Sequence, residues 1–321
     1  MEAPHVPVML DEVLEYLAPA ASRPGAVAVD ATLGAGGHTE ALLNAHPALT
    51  VIGVDRDPAA LELASKRLAP FGDRFIPAHA VYDAVPDVLA EHGYAAADAI
   101  LFDLGVSSMQ LDQPERGFAY AQDAPLDMRM NPDDELTAEN VVNTYTVADL
   151  TRVLRVYGEE KFAPRVAKAI AAARARAPIT SSKELADLVR QAIPAPARRR
   201  GGNPAKRTFQ ALRIEVNGEL DTWSAALPAA LDSLAPGGRV VVLSYHSLED
   251  RATKRELARR SASATPAGLP VELPGTEPAF RLLTKKARQP TQTELDRNPR
   301  SAPARLRAAE RIATSTGEGG D

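Results

Sequence analysis

A glycine-rich segment near the N-terminus, VDATLGAGGHTEAL at 29–42, constrains the fold more than any other stretch of the 321-residue chain. Three glycines occupy four positions directly after a short apolar run. Glycine inside a strand or helix costs up to about 1 kcal/mol relative to alanine, so this much bare backbone needs a reason. A strand followed by glycines and a helix N-terminus is a ligand cradle, because the free N–H groups of the first helical turn point at the ligand.

The pattern around this segment predicts an α/β protein with a parallel sheet, because short apolar runs alternate with helical patterns. Strands are predicted at 26–30, 50–55, 74–79, 95–105 and within 234–247. Helices are predicted at about 38–45, 57–69 and 84–93, and later at 146–158, 159–176, 181–193 and 207–227. We therefore predict an α/β domain in two parts, 1–105 and 207–321, interrupted by a mostly helical insertion at 106–206 with a substrate-recognition role.

An acidic residue at the end of the second strand suggests which ligand the cradle holds. Asp55 follows Gly36 by 19 residues, and an acid at this spacing suits a ribose diol. A dinucleotide and S-adenosylmethionine both fit this pattern. The dinucleotide fingerprint ends in glycine, whereas Thr39 stands in that place here. Asp30 would repel a pyrophosphate and attract the ammonium of a methionine moiety, so S-adenosylmethionine is favoured over a dinucleotide. The alternative for Asp30 is a cap for its own loop.

Two further strand ends carry polar residues. Asp103 ends the fourth predicted strand, and ligands of parallel sheets lie beyond the carboxyl ends of strands, so we expect Asp103 at the same crevice as Asp30 and Asp55. A buried carboxylate needs a partner, which a ligand can supply. Tyr245 and His246 lie just past another strand end, where a lone histidine is more often structural than catalytic.

Composition narrows the function classes. The chain has no cysteine, and no two of its six histidines are spaced as metal ligands on one helix face, so no metal site is predicted. Early acidic residues at the N-terminus do not fit a signal peptide, and no apolar run is long enough to span a bilayer. These features predict a cytoplasmic protein without a membrane partner.

The charge of the chain is divided unevenly. Residues 1–150 carry a net charge of −17 and residues 151–321 a net charge of +12. Both could be solvated faces, or the second half could build a nucleic-acid surface. The segment ARRRGGNPAKR at 197–207 holds the densest basic residues, and we predict that they contact RNA: Arg198, Arg199, Arg200, Lys206 and Arg207.

Seven motifs, in order, carry a family resemblance: DATLGAGGH, DLGVSSMQLD, ERGFAY, PLDMRM, KRTFQALRIEVNGEL, SYHSLEDR and NPR. The chain resembles the bacterial small-subunit ribosomal RNA methyltransferase H family from His5 to about Arg307. The resemblance implies a Rossmann-like, class I S-adenosylmethionine-dependent methyltransferase that methylates N4 of a cytosine in the decoding region of 16S ribosomal RNA. The chain departs from the family in its basic tail, NPRSAPARLR, which has one basic residue fewer, and its Pro-rich stretch at 261–278 matches no family motif.

The resemblance also implies a set of cofactor contacts, of which the pattern of the residues independently indicates the two glycines, Asp55 and Asp103. The implied contacts are Gly36, Gly37, His38, Asp55, Tyr82, Asp103 and Gln110. Gly34 and Asp30 join them as candidates from the pattern alone. For Tyr82 the alternative is a half-buried core tyrosine.

Asp103 is the candidate catalytic residue, because a carboxylate that accepts a hydrogen bond from the cytosine amine would favour attack by that amine. Its alternative role is holding the cofactor.

The ring that stacks on the target base is a separate question. DNA amino-methyltransferases have a Pro-Pro-aromatic turn after the corresponding acid, and this turn is missing here, so the ring must come from elsewhere. The candidates are Phe118, Tyr120 and Tyr245, each of which could instead be a core residue.

Three other function classes stay open. A non-catalytic RNA-binding or ribosome-assembly factor would not need the pairing of Asp30, the glycines and Asp55. A nicotinamide oxidoreductase is disfavoured by Thr39, and an amino-methyltransferase of another nucleic acid by the missing Pro-Pro-aromatic turn. The sequence leaves open the oligomeric state, and whether free 16S ribosomal RNA or the assembled small subunit is the partner.

Overall fold

The computed structural model describes residues 7–106, 113–118, 123–198, 203–265, 273 and 275–313. The chain divides into two compact units, the first formed by Met1–Gly105 with Thr222–Asp321 and the second by Val106–Asp221. The second unit begins where the insertion was predicted, but it ends after Asp221 rather than at 206. The reason is that Phe209 and Leu212 of the following helix belong to the core of the second unit. Among the described helices, none is both long and apolar enough to cross a membrane.

The helices and strands alternate along the first third of the chain. The helices are α1 Leu10–Ala21, α2 Gly37–Ala45, α3 Pro58–Leu68, α4 Val85–Glu91, α5 Ala138–Thr144, α6 Val147–Val156, α7 Ala163–Arg174, α8 Ser182–Ala192, α9 Ala195–Arg198, α10 Lys206–Asn217, α11 Glu219–Asp232, α12 Ser247–Arg260 and α13 Gln292–Arg297. The strands are β1 Val27–Asp30, β2 Thr50–Asp55, β3 Phe75–His79, β4 Ala97–Asp103, β5 Leu234–Ser244, β6 Phe280–Leu282 and β7 Arg305–Arg311.

The seven strands form one sheet in the order β3-β2-β1-β4-β5-β7-β6. Strands β1 to β5 are parallel, and β7 pairs antiparallel with β5 and with β6. The strand order 3-2-1-4-5 is that of a doubly wound nucleotide-binding sheet, which confirms the predicted Rossmann-like fold class. Strands β1 to β5 were all predicted, whereas β6, β7 and α13 were not.

Both faces of the sheet are buried, as a parallel sheet requires. Side chains alternate along β4, so that Ile100 and Phe102 pack in one apolar cluster and Ala99 and Leu101 in another on the opposite face. The predicted start of α3 is confirmed, because Asp57 accepts a hydrogen bond from the Ala59 N–H at 3.0 Å. The parallel register brings the carboxyl ends of the strands to one edge.

The second unit is helical and has its own apolar core. Thr137, Thr146 and Ser181 cap the helices α5, α6 and α8 through their hydroxyl oxygens. Phe118 is buried in this core, which matches the alternative of a core residue, and its stacking on a base stays a prediction. The helical stretch predicted at 207–227 is two helices, because Gly218 adopts a left-handed conformation with φ of 60° and ends the first of them.

The C-terminal segment is part of the sheet, which revises the prediction of a basic tail. Arg305 and Arg307 lie two residues apart on β7, so both side chains project from the same face of the strand. Arg307 is buried and its Nε donates to Asp250 Oδ1 at 2.7 Å, whereas Arg305 keeps 47% of its side chain exposed. Arg307 therefore stabilises the fold instead of presenting a charge to a partner.

Replacing Arg307 with alanine should lower the free energy of unfolding by about 3–5 kcal/mol, because the buried Asp250 loses its hydrogen-bonded partner, and Arg305, at 3.7 Å, is partly exposed. Replacing the exposed Arg281, which pairs with Glu310, should cost at most about 1 kcal/mol. The double variant Asp250→Asn, Arg307→Met should recover most of the loss. Urea unfolding measures all three, and equal effects at 281 and 307 would contradict the assignment.

Candidate functional site

The loop between β1 and α2 has the backbone that its glycines predict. Gly34 and Gly36 adopt left-handed conformations, with φ of 52° and 75°, that other residues rarely take. A Cβ on Gly37 would lie 2.6 Å from the Pro7 ring, so the N-terminal segment passes directly against the first turn of α2. Gly36 is the N-cap of α2 and supplies no side-chain bond to it. The first turn of α2 therefore presents backbone N–H groups at this edge, which fits a ligand cradle.

Asp55 lies at the end of β2 and holds this loop in place. Its Oδ2 accepts a hydrogen bond from the Gly34 N–H at 2.8 Å, and its Oδ1 accepts one from the Asp57 N–H at 2.9 Å. Burial raises the pKa of the Asp55 carboxyl, although the two N–H bonds oppose that rise. Each oxygen keeps a second lone pair, so the carboxylate can still accept from the hydroxyls of a ribose.

Asp30 is the most buried acid of the site, with 1% of its surface exposed. Its Oδ2 accepts from the Thr39 hydroxyl at 2.7 Å, and its Oδ1 accepts from the Thr32 N–H at 3.3 Å. Burial raises the pKa of Asp30 to about 6. These bonds show the loop-cap role that the sequence left open, and contact between Asp30 and a cofactor stays a prediction. They also explain why a threonine, and not a glycine, occupies position 39.

Asp103 lies beside Asp30 and is held by two hydrogen bonds, one to its side chain and one from its backbone. The Tyr245 hydroxyl donates to Asp103 Oδ1 at 2.6 Å, and His38 Nδ1 lies 3.7 Å from Asp103 Oδ2. The backbone N–H of Asp103 donates to the Thr32 hydroxyl at 2.6 Å. The carboxylate is nevertheless 24% exposed, so it is fixed in position and open to a ligand. Burial and the nearby Asp103 charge raise the pKa of Tyr245 well above 10, which keeps its hydroxyl protonated.

His38 lies in the first turn of α2, between Asp103 and the N-terminal segment. Its Nε2 lies 3.0 Å from the Val8 carbonyl oxygen, which can only accept, so Nε2 carries the proton. Burial lowers the pKa of His38, which favours the neutral ring. His38 thus positions the segment that borders the glycine loop, and its predicted contact with a cofactor remains a prediction.

Tyr82 lies in a short 3₁₀ turn after β3, on the face of the sheet where Phe102 packs. Its ring makes edge-to-face contacts with Phe102 and Trp223, each at 6.1 Å between centroids. These contacts match the alternative of a half-buried core tyrosine, and its cofactor contact stays a prediction. His246 is structural, as expected of a lone histidine: it is the N-cap of α12 and shares a capping box with Glu249.

The remaining predicted residues are not brought to this edge by any described contact. Gln110, Tyr120, Arg199 and Arg200 lie outside the described residues. Arg198, Lys206 and Arg207 are exposed on the second unit. Their predicted RNA contacts stay predictions.

Sequence reasoning missed the residues that connect the predicted acids. Thr32 bonds both Asp30 and Asp103, and the only hint was its place two residues after Asp30. Glu294 accepts a hydrogen bond from the Met9 N–H at 2.6 Å, across 285 positions of sequence. Met9 takes a left-handed conformation there, with φ of 51°. No local pattern indicates a contact over such a separation.

Comparison with known proteins identifies the family to which the chain belongs. The model of the MraW methylase family matches residues 2–312. The chain is 65% identical to the ribosomal RNA small subunit methyltransferase H of Salinispora arenicola, over 96% of this chain and 83% of that protein. It is 62% identical to the protein of the same name from Thermobifida fusca, over 96% and 93% of the two chains. A solved rRNA methylase structure from Streptococcus thermophilus aligns at 14% identity and a TM-score of 0.41, over 94% and 93% of the two chains. The fold assignment rests on the strand order alone.

The raised pKa of Asp30 predicts a specific pH dependence of stability. Because the folded pKa of about 6 lies above the ordinary 3.8, Asp30 destabilises the fold as pH rises through that window. Asp30→Asn removes the charge and keeps hydrogen-bonding groups for Thr32 and Thr39. Between pH 4 and pH 7 the wild type should lose up to about 3 kcal/mol of unfolding free energy relative to this variant. Parallel pH curves for the two proteins in urea unfolding would refute the burial of a charged Asp30.

Proposed function

The chain belongs to the MraW methylase family, and we propose that it transfers a methyl group from S-adenosylmethionine to N4 of a cytosine in the decoding region of 16S ribosomal RNA. The observation that carries this proposal is the carboxyl edge of the sheet, where a glycine cradle adjoins a fixed and solvent-reaching Asp103. The names of the relatives at 65% and 62% identity support ribosomal RNA as the substrate class. Such a substrate places the reaction in the cytoplasm.

The residues at this edge fit S-adenosylmethionine. The N–H groups that follow Gly36, at the first turn of α2, would face the methionine moiety, and Asp55 would accept from the ribose hydroxyls. Gly37 allows Pro7 to pack against this turn, because a Cβ there would lie 2.6 Å from the Pro7 ring. When bound, S-adenosylmethionine supplies an electrophilic methyl group.

Asp103 acts on the nucleophile. The exocyclic amine of cytosine is a weak nucleophile, because its lone pair is delocalised into the ring. A carboxylate that accepts a hydrogen bond from this amine localises the lone pair and is placed to receive the proton that the amine loses. The Tyr245 hydroxyl occupies Oδ1 of Asp103, so the position of the carboxylate is set before the base arrives. Most of the acceleration then comes from positioning, which can replace up to about 7–11 kcal/mol of barrier.

The target base has to leave its stack to reach Asp103, at a cost of a few kcal/mol that binding of the surrounding RNA offsets. The Tyr245 ring lies against Gly105, 3.3 Å from where a Cβ would be, and its hydroxyl is bound to Asp103. We therefore assign Tyr245 to positioning rather than to stacking on the base. The basic residues of 197–207 are proposed to contact RNA phosphates, which are the sequence-independent part of affinity.

The proposed reaction is tested by incubating the protein with labelled S-adenosylmethionine and small-subunit ribosomal RNA, either free or in the assembled subunit. Mass mapping of the nuclease fragments should locate one added methyl group on a decoding-region cytosine. RNA binding without methyl transfer would instead favour a non-catalytic assembly factor. Transfer to DNA but not to RNA would favour an amino-methyltransferase of another nucleic acid.

Variants at Asp103 and Tyr245 separate the chemical role from cofactor binding. Asp103→Asn should lower kcat by at least about 100-fold, the smaller end of general acid–base contributions. Tyr245→Phe removes a single hydrogen bond to a charged group and should lower kcat by about 10-fold or more. Affinity for S-adenosylmethionine, measured by calorimetry, should change little in Tyr245→Phe. A loss of cofactor affinity that matches the loss of rate would instead assign Asp103 and Tyr245 to cofactor binding.

A further inference from the structure

The outward face of α12, SLEDRATKRELARR at 247–260, carries charge of one sign. All of its exposed charged residues are basic: Arg251, Lys254, Arg255 and Arg259. The three acids of the helix are buried or half-buried. On a helix, residues three and four positions apart lie on one face, so Arg251, Lys254 and Arg255 form a continuous basic surface.

The first two acids of α12 bond to the preceding backbone and to β7. Glu249 accepts from the backbone N–H groups of Tyr245 and His246, at 2.8 and 3.2 Å. Asp250 pairs with the buried Arg307 at 2.7 Å and also lies 3.7 Å from the partly exposed Arg305.

The third acid bonds near the far end of the helix. Glu256 accepts from Arg259 at 2.6 Å and from Arg260 at 3.1 Å. Arg259 and Arg260 are therefore partly neutralised by an acid of their own helix.

The basic face begins at the edge that holds the candidate site. Helix α12 starts directly after β5, whose Leu243 pairs with Asp103 of β4. Arg251 lies five residues after the N-cap His246, about 7.5 Å along the helix axis. Arg305, at the start of β7, pairs in the sheet with Ser244 and adds an exposed cation at the same edge.

We propose that Arg251, Lys254 and Arg255, together with Arg305, bind the phosphate backbone of the RNA that delivers the target base to Asp103. This inference rests on the proposed function and names a contact surface for it. A charged helix face is usually only solvated. Here, however, the acids of the helix face inward, and the positive surface starts at the carboxyl edge where a polyanionic substrate has to approach.

The test replaces Arg251, Lys254 and Arg255 together with glutamine, which removes the charge and keeps most of each apolar stem. Binding of a transcribed decoding-region fragment of small-subunit ribosomal RNA is measured at several salt concentrations. The slope of log K against log salt should flatten by about 0.7 for each phosphate that the variant no longer neutralises, so by up to about 2 for three phosphates. Calorimetry should give unchanged affinity for S-adenosylmethionine, which also verifies folding.

A matched triple variant provides the control. Lys161, Arg165 and Lys168 are exposed basic residues of the second unit, and their replacement with glutamine changes the net charge by the same amount. An equal loss of slope in both triple variants would show a general effect of net charge and would contradict the proposed RNA-binding surface. An unchanged slope in the α12 triple variant would contradict it as well. If the wild type neither binds nor methylates this RNA, the proposed function itself fails. If the wild type methylates this RNA and the α12 triple variant keeps the wild-type slope, the proposed reaction stands and only the proposed RNA-binding surface is wrong.

Discussion

The site depends on one buried carboxylate, that of Asp30, which connects the end of β1, the glycine loop, the first turn of α2 and β4. Thr39 of α2 donates its hydroxyl to Asp30, and Thr32 donates its backbone N–H. The Thr32 hydroxyl in turn accepts the N–H of Asp103. A shift of Asp30 would therefore move the loop and Asp103 together. This chain of bonds explains how a loop rich in glycine, the most permissive residue, is held in one conformation.

The buried charge of Asp30 lowers the stability of the fold, while its hydrogen bonds fix the positions of the loop and of Asp103. Burial raises the pKa of Asp30 to about 6, so at neutral pH the fold keeps a carboxylate charged where its desolvation is unfavourable. Buried polar networks that are fully bonded rigidify their surroundings. The network also fixes the position of Asp103, whose side chain is held by the Tyr245 hydroxyl. Unlike Asp30, Asp103 keeps 24% of its side chain exposed. The two acids thus divide the work, one as an anchor and the other open to a ligand.

The sequence predicted the acids of the site and not the bonds between them, for a physical reason. Parallel strands carry their carboxyl ends to one edge, so periodicity alone brings Asp30, Asp55 and Asp103 together. The hydrogen bond from Tyr245 to Asp103 spans 142 positions and has no local pattern. Strand β7 was missed because its charged residues are not typical of a buried strand. Arg305 and Arg307 share a strand face and both lie near Asp250, at 3.7 and 2.7 Å, so the sequence does not distinguish the exposed cation from the buried one.

The start of α12 connects recognition to chemistry within the first unit. Glu249 is buried and accepts the backbone N–H of Tyr245, so the residue that positions Asp103 is itself fixed by the first turn of α12. The next turn of the same helix carries Arg251, Lys254 and Arg255 on its outward face. A phosphate bound there would act on the helix that fixes Tyr245, six to ten residues after it in sequence. Because a helix is stiff along its axis, RNA binding at this face and the orientation of Asp103 would depend on the same rigid helix. The target base would then meet a hydrogen-bond acceptor that is already in position.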